Sequence, residues 1–363
     1  MDDHEVEQDF EQKLEQEQAR QTMKRPNVLV CGYTGSGKSS LIKAVCGDVV
    51  PDDAIGDGKP KTVGYDIYES DNICVWDSKG LELGETEEDF TGKTREFIRA
   101  RQSDANVDHH IHIVWYTIQG PGARVTACDL NLIQRVFSPE SVVVVITKSD
   151  ITRVPQLTQL RAELCEAGVD PERIVAVSDV QTGAVGCREL VALTHKLLPG
   201  AYRASFAEAQ RVDREARLEA VRAKRSKASA IITATTAAAT GVAAIPIPLA
   251  DSALLVPMQT TMIASLAVLY GLHAEAIKHA ALPFVARVAG IHAAGSLLKL
   301  IPGLGSIVSA TVAGAITGAL GWYTQDCFAD MAIAKINGAP VPTMNFDVDT
   351  FREYYRDFRK TKK

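Results

Sequence analysis

The stretch Gly32-Tyr33-Thr34-Gly35-Ser36-Gly37-Lys38-Ser39 constrains this chain more than any other. An apolar run, Asn27-Val28-Leu29-Val30-Cys31, precedes it, and Ser40-Leu41-Ile42-Lys43-Ala44-Val45 follows. The order reads as a buried strand, a glycine-rich turn and the opening of a helix. The spacing G-x-x-x-x-G-K-[ST] is that of a phosphate-binding loop. Glycine lets the backbone fold round an anion with no Cβ in the way. The N–H groups of the loop and of the first helical turn then converge on the phosphates. On this reading Gly32, Tyr33, Thr34, Gly35, Ser36, Gly37 and Ser40 form the cradle. Lys38 reaches the β- and γ-phosphates, and the Ser39 hydroxyl ligates Mg²⁺. With a strand before and a helix after, a glycine-rich turn matching by chance is the weaker reading.

Residues 27–199 alternate between apolar strands and amphipathic helices, which predicts a doubly wound, mostly parallel α/β sheet. Strands are expected at 27–31, 64–69, 72–76, 110–118, 141–147 and 173–178, and helices at 38–46, 86–102, 124–137, 155–168 and 186–198. Ligands bind such sheets beyond the carboxyl ends of the strands, and every motif named below falls at one of those ends. At 363 residues the chain is long enough for two domains. The expected divisions are an acidic flexible or helical segment (1–25), a nucleotide-binding domain (26–200), a charged linker helix (201–227), an apolar helical domain (228–336) and a charged tail (337–363). The acidic segment has few apolar positions and is expected to contribute no core.

Asp77-Ser78-Lys79-Gly80 closes the strand Asn72-Ile73-Cys74-Val75-Trp76. A carboxylate opposite the phosphate loop can hold Mg²⁺ through water, and the Gly80 N–H can sense the γ-phosphate. Thr147-Lys148-Ser149-Asp150 follows the run Ser141-Val142-Val143-Val144-Val145-Ile146. The Asp150 carboxylate can accept both N1–H and N2–H of guanine, a donor pair that adenine lacks, while the Lys148 stem lies over the purine. This motif resembles the [NT]-K-x-D of the translation-factor class of GTPases. Ser178-Asp179 resembles a degenerate form of their fifth motif, in which the Asp179 N–H reaches the guanine O6. Thr62, in a polar loop, is the candidate for completing the Mg²⁺ shell when triphosphate is bound, an order–disorder switch. Lys38, Thr62 and Gly80 form the expected catalytic set, and Ser39, Thr62 and Asp77 the metal set. Many GTPases place a water-orienting glutamine just after D-x-x-G, whereas this chain has Leu81. In this it resembles the Era, TrmE and septin-like families, where that position is hydrophobic. Some of those relatives carry a phosphate-loop asparagine that helps bind potassium; the matching residue here is Gly35. The resemblance implies slow GTP hydrolysis, raised by self-association or by a partner.

The net charge of −6 argues against a bulk polyanion binder. The seven cysteines are scattered, without C-x-x-C pairing, and most lie in apolar runs. They imply a reducing, cytoplasmic setting with neither a disulfide framework nor a zinc site. The acidic start reads as no secretory signal. His109, His110 and His112 read as strand-edge histidines rather than metal ligands.

The C-terminal half holds three runs without Asp, Glu, Lys or Arg, at 228–250, 252–274 and 300–325. With Ala244-Ile245-Pro246-Ile247-Pro248-Leu249 and Leu300-Ile301-Pro302-Gly303-Leu304-Gly305, this half resembles the DUF697 (YcjF-like) helical domain found behind GTPases of this type. Two physical readings stay open. Charge-free runs of this length are membrane-span candidates, and the basic cluster Arg222, Lys224, Arg225 and Lys227 could meet an anionic membrane surface. The composition, rich in Ala, Thr, Ser and Gly and interrupted by prolines, fits a compact helical domain equally well. The expectation is a Mg²⁺-dependent GTP/GDP-binding protein that hydrolyses GTP and is coupled to an apolar helical effector domain. Its rivals are a nucleotide-gated adaptor with negligible turnover and a ribosome- or RNA-associated GTPase.

Overall fold

The computed structural model describes residues 3–20, 24–47, 64–70, 72–81, 85–122, 124–178, 185–242, 250–272, 310–344 and 347–361. The chain forms two compact units, Met23–Arg217 and Met1–Thr22 with Leu218–Lys363. Two residues of the expected site, Thr62 and Asp179, lie outside the described residues, as does the proline-rich run 244–249.

The first unit is built on strands β1 (Asn27–Gly32), β2 (Tyr65–Glu69), β3 (Cys74–Ser78), β4 (Ile113–Gln119), β5 (Val142–Thr147) and β6 (Ile174–Ala176). They form one sheet in the order β2-β3-β1-β4-β5-β6, parallel except for β2, which pairs antiparallel to β3. Every residue of β1, β3 and β5 is buried. That is why these strands read as continuous apolar runs: both faces are covered by crossover helices. The helices are α2 (Lys38–Cys46), α3 (Glu87–Gln102), α4 (Ala127–Asn131, continued by a π turn over Leu132–Val136), α5 (Val154–Glu166), α6 (Cys187–Leu197) and α7 (Gly200–Ala209). On one face Val28, Val30, Trp115, Val143 and Val145 pack with residues of α2 and α6. On the other, Leu29, Tyr116, Val144 and Ile146 pack with residues of α3, α4 and α5.

Strand β4 starts later than its apolar run implies, because the histidines before it do other work. His109 ends a short 3₁₀ turn, and His112 Nδ1 accepts the Asn27 N–H at 2.9 Å. Burial pushes the His112 pKa down to about 4, keeping the ring a neutral acceptor. Among the described residues no group of three or more His, Cys, Asp or Glu could hold a metal ion, and all seven cysteines are free thiols.

The stretch 201–227, read as one helix, is two. Buried Gln210 breaks it by donating to Ala207 O (3.1 Å) and Asp213 O (2.9 Å) and accepting the Asp213 N–H (2.7 Å). Asp213 then accepts the Ala216 N–H at 3.1 Å and opens α8 (Arg214–Val242). Arg211, inside this turn, closes the C-terminal end of α2. Its N–H donates to Val45 O at 2.9 Å and its Nε to Ala44 O at 3.1 Å. The guanidinium occupies the space beside Gly47 that any Cβ there would need.

The second unit contains α1 (Asp3–Arg20), most of α8, α9 (Ala250–Leu269), α10 (Ala310–Ile336) and α11 (Val348–Thr361). Here α1 corrects the sequence reading. Phe10 and Leu14 are buried in the core, and Glu17, also buried, accepts a hydrogen bond from Ser265 Oγ on α9 at 2.9 Å. Positions 10, 14 and 17 share one helical face, so few apolar residues suffice to dock an otherwise acidic helix. Among the described residues, the charge-free part of α8 buries only the stripe Ala228, Ile232, Thr236 and Ala239. Glycines on α10 admit close neighbours: Gly314 meets Thr240, Gly318 meets the Phe358 ring of α11, and Gly321 meets Ile232 and Met262. The pattern Gly314-Ala315-Ile316-Thr317-Gly318 therefore serves two different partners. The charged tail also contributes to this core, through Phe351 and Tyr355.

Half of the basic cluster is committed to this fold. Buried Lys224 lies 5.8 Å from the centre of the Tyr270 ring. Arg225 donates to Asp326 at 2.8 Å and stacks 5.1 Å from the Trp322 ring centre. Among the described residues no helix is long and apolar enough to cross a membrane.

Candidate nucleotide site

The glycine-rich loop turns at the carboxyl end of β1 and runs straight into α2. Gly35 (φ 78°) and Gly37 (φ 88°) take the left-handed conformation that side-chain-bearing residues avoid. Ser36 Oγ and Thr117 Oγ1 lie 2.6 Å apart, and Thr117 donates onward to Cys31 O at 3.1 Å, which assigns the donor role to Ser36. Lys38 is buried, its Nζ donating to Gly32 O (3.1 Å) and Tyr33 O (3.0 Å). Burial lowers its pKa, opposed by the nearby Asp77 charge. An ammonium held against the loop's own carbonyls is a cation placed for an anion entering that loop.

Gly80 closes over this arrangement. A Cβ at Gly80 would stand 2.6 Å from Thr34 N and 2.9 Å from Lys38 Nζ, so only glycine fits. Thr34 Oγ1 donates to Leu81 O at 2.8 Å and pins the two loops together. The Asp77 carboxylate lies on the neighbouring strand, where Ser39 Oγ donates to its Oδ2 at 2.7 Å. Its other oxygen, Oδ1, is buried without a hydrogen-bond partner among the described residues. Burial raises the Asp77 pKa to about 6, against the lowering effects of Ser39 and Lys38. A buried carboxylate with one unsatisfied oxygen, beside a hydroxyl at a helix start, suits a hard, oxygen-loving cation such as Mg²⁺.

On the other side of α2 lies a cleft lined by Gly37, Ser40, Leu41, Ala44, Thr147, Lys148, Val177 and Ser178. Thr147 Oγ1 donates to Ser36 O at 2.6 Å, joining the end of β5 to the glycine-rich loop. Lys148 is the one non-glycine residue with positive φ (56°) among the described residues. That conformation costs about 1–2 kcal/mol. It is held by Lys148 Nζ on Gly35 O (2.9 Å) and Thr152 Oγ1 on Lys148 O (2.6 Å). Asp150, two residues beyond Lys148, is exposed and forms no hydrogen bond or ion pair among the described residues. Ser178 pairs with Val185, donating its N–H to Val185 O (2.9 Å) and accepting the Val185 N–H on Oγ (2.8 Å). The described residues of the expected site thus converge on one rim of the sheet.

Sequence reasoning missed the role of Tyr33. Its hydroxyl bonds Glu87 at 2.9 Å, at the start of α3, and Thr126 at 3.1 Å, the cap of α4. It also missed a second cleft beside the loop, lined in part by Tyr33, Thr34, Gln119 and Arg124. Neither has a signal in local spacing, since the partners stand far apart in sequence.

Residues 27–148 match the family model described as a 50S ribosome-binding GTPase. Among solved structures, Era in complex with MgGDPNP and nucleotides 1506–1542 of 16S ribosomal RNA is 19% identical, with a TM-score of 0.36. That match covers 49% of this chain, which spans 58% of the Era chain. No curated protein matches. The family match begins with the first residue of β1 and takes in the loop, the β3 carboxylate and the Thr147-Lys148 turn. The unit Met23–Arg217 carries a P-loop GTPase G domain.

Proposed function

We propose that this protein binds GTP together with Mg²⁺, hydrolyses it slowly and passes the nucleotide state to its helical unit. The observation that carries the reading is the Ser39–Asp77 pair, with its orphaned buried oxygen, beside Lys38 in a G domain. Lys38 and the loop N–H groups bind and orient the β- and γ-phosphates. Ser39 and Asp77, with Thr62, hold the metal. Bound Mg²⁺ supplies charge neutralisation on the phosphate oxygens. Gly80 keeps its N–H beside the γ-phosphate end of the loop. Asp150 selects guanine, Lys148 covers the base, and Ser178 with Asp179 borders it.

Leu81 in place of glutamine leaves water positioning to other groups and supports slow intrinsic turnover. Coupling is supported by Arg211, which ties the far end of α2 to the turn that opens α8. Competition between GTP and ATP for the site, followed by phosphate release with and without Mg²⁺, tests the proposal. Equal competition by ATP overturns the guanine reading. GTP binding without turnover leaves a nucleotide-gated adaptor in its place, and turnover rising with protein concentration marks self-association through the G domain.

The description of the matched family supports a second reading, ribosome or RNA association. Salt-sensitive co-sedimentation with ribosomes in the GTP state tests it. Association with an anionic membrane has weaker support, because Lys224 and Arg225 are already engaged. Failure of the full chain to float with anionic vesicles in either nucleotide state retires that idea.

A further inference from the structure

The glycine-rich loop divides two clefts. The first, described above, borders the Thr147–Lys148 turn. The second, about 280 Å³, lies on the other side and takes Tyr33, Thr34 and Ser36 from the loop, with Gln119 and Arg124 from the end of β4 and beyond. Its position identifies which end of a nucleotide it borders. Thr34 N is the atom nearest a Cβ built on Gly80, and the Thr34 hydroxyl holds Leu81 O. Through Thr34 the second cleft therefore reaches the Gly80–Leu81 end of the loop, where the γ-phosphate is expected and where many GTPases carry a glutamine.

Most polar groups lining this cleft are already committed. Glu87 accepts the Tyr33 hydroxyl at 2.9 Å. Asp129 is buried, taking the Tyr116 hydroxyl at 2.6 Å and the Thr126 N–H and hydroxyl at 2.7 and 2.9 Å. Ser36 and Thr117 bond each other, and Gln119 Oε1 lies 3.4 Å from Lys148 Nζ. Arg124 differs. It is exposed and forms no hydrogen bond or ion pair among the described residues. The short loop that bears it is anchored at both ends. Gly120 N donates to Thr147 O at 2.9 Å, and Thr126 is fixed by Asp129 and Tyr33. A guanidinium offers paired donors to phosphate oxygens.

We propose that Arg124 is a catalytic residue that binds the phosphoryl group during transfer, a cation supplied by this chain in place of a partner's. The inference rests on the hydrolysis reading above. In that step the water oxygen bonds to the γ-phosphorus as the bond from phosphorus to the β–γ bridging oxygen breaks. GDP leaves with the electron pair, and the proton lost by water ends on phosphate or in solvent. Negative charge grows on the bridging and γ oxygens, which is where an added cation favours the transition state over bound GTP.

The test uses the full chain as wild type, Arg124→Ala and Arg124→Lys. It measures the single-turnover hydrolysis rate, GTP and GDP affinities, and capture of GDP with aluminium fluoride, a mimic of the transferring group. The expected result for Arg124→Ala is a rate at least tenfold lower, with both affinities within about twofold of wild type and weakened aluminium fluoride capture. Arg124→Lys should recover only a minor part of the rate, because a point charge lacks the paired donors. An Arg124→Ala rate within twofold of wild type overturns the proposal. So does a loss of rate matched by an equal loss of GTP affinity, which marks ground-state binding. A wild-type chain that binds GTP and never hydrolyses it sinks the hydrolysis reading itself, a result distinct from either.

Discussion

Replacing Asp77 by Asn should stabilise the nucleotide-free G domain, although it removes a residue that the proposed function needs. The carboxylate is 5% exposed and one of its oxygens has no partner among the described residues, so its charge is held at a cost. Its pKa climbs from 3.8 to about 6 on burial, and at ~1.4 kcal/mol per tenfold change in proton affinity this is about 3 kcal/mol. The sign follows from proton counting. Between these two values the folded chain binds more protons than the unfolded one, so stability falls as pH rises. The penalty is complete above about pH 6 and absent below about pH 4. Asn can still receive the Ser39 hydroxyl and carries no charge. Hydrogen exchange of the β1 and β3 amides reads the G domain alone. At pH 8, without nucleotide or Mg²⁺, Asp77→Asn should raise their protection by one to two orders of magnitude, and at pH 4 the two proteins should converge. With Mg²⁺ and GTP present the order should reverse, because only the carboxylate attracts the cation. Equal or lower protection in the variant at pH 8 without ligand would refute the reasoning.

Lys38→Ala should lower GTP affinity by orders of magnitude while leaving the circular dichroism spectrum intact; near-normal affinity in the folded variant would remove the phosphate-loop assignment. Asp150→Asn should shift preference from guanine toward xanthine nucleotides, because the amide turns a donor toward the guanine N1–H. Competition by GTP and xanthosine triphosphate for a fluorescent nucleotide reads this directly. Leu81→Gln should leave single-turnover hydrolysis within a few-fold of wild type, since the surrounding groups are arranged without that amide. A gain of a hundredfold would mean that water positioning was the missing element.

The G domain was legible because its motifs combine local spacing with a strand end. Gly32 to Ser39, Asp77 to Gly80 and Thr147 to Asp150 each follow a run of buried apolar residues, and the parallel topology brings those ends to one rim. The Tyr33 hydroxyl, the Arg211 tie to α2 and the placement of Arg124 were not legible. Each depends on which distant side chain faces it, which no periodicity encodes. The break at Gln210 was hidden for a related reason. Without Gly or Pro to announce it, a buried amide replaces the backbone hydrogen bonds that the helix gives up. The acidic first segment misled by composition, since the three residues that dock it are diluted among charges.

The docking of α1 on α9 has a consequence for how the chain is made. The last residue of α1 precedes the first of α9 by roughly 230 residues, with the whole G domain between them. At about 5–20 residues per second, a ribosome takes roughly 10–50 s to deliver the partner helix. Through that interval the apolar face of Phe10 and Leu14 has no site of its own, while the G domain behind it can already complete its sheet. Synthesis thus imposes an order in which the G domain matures first and α1 docks after it. A nascent-chain complex stalled before residue 250 should hold a nucleotide-competent G domain and a protease-sensitive α1.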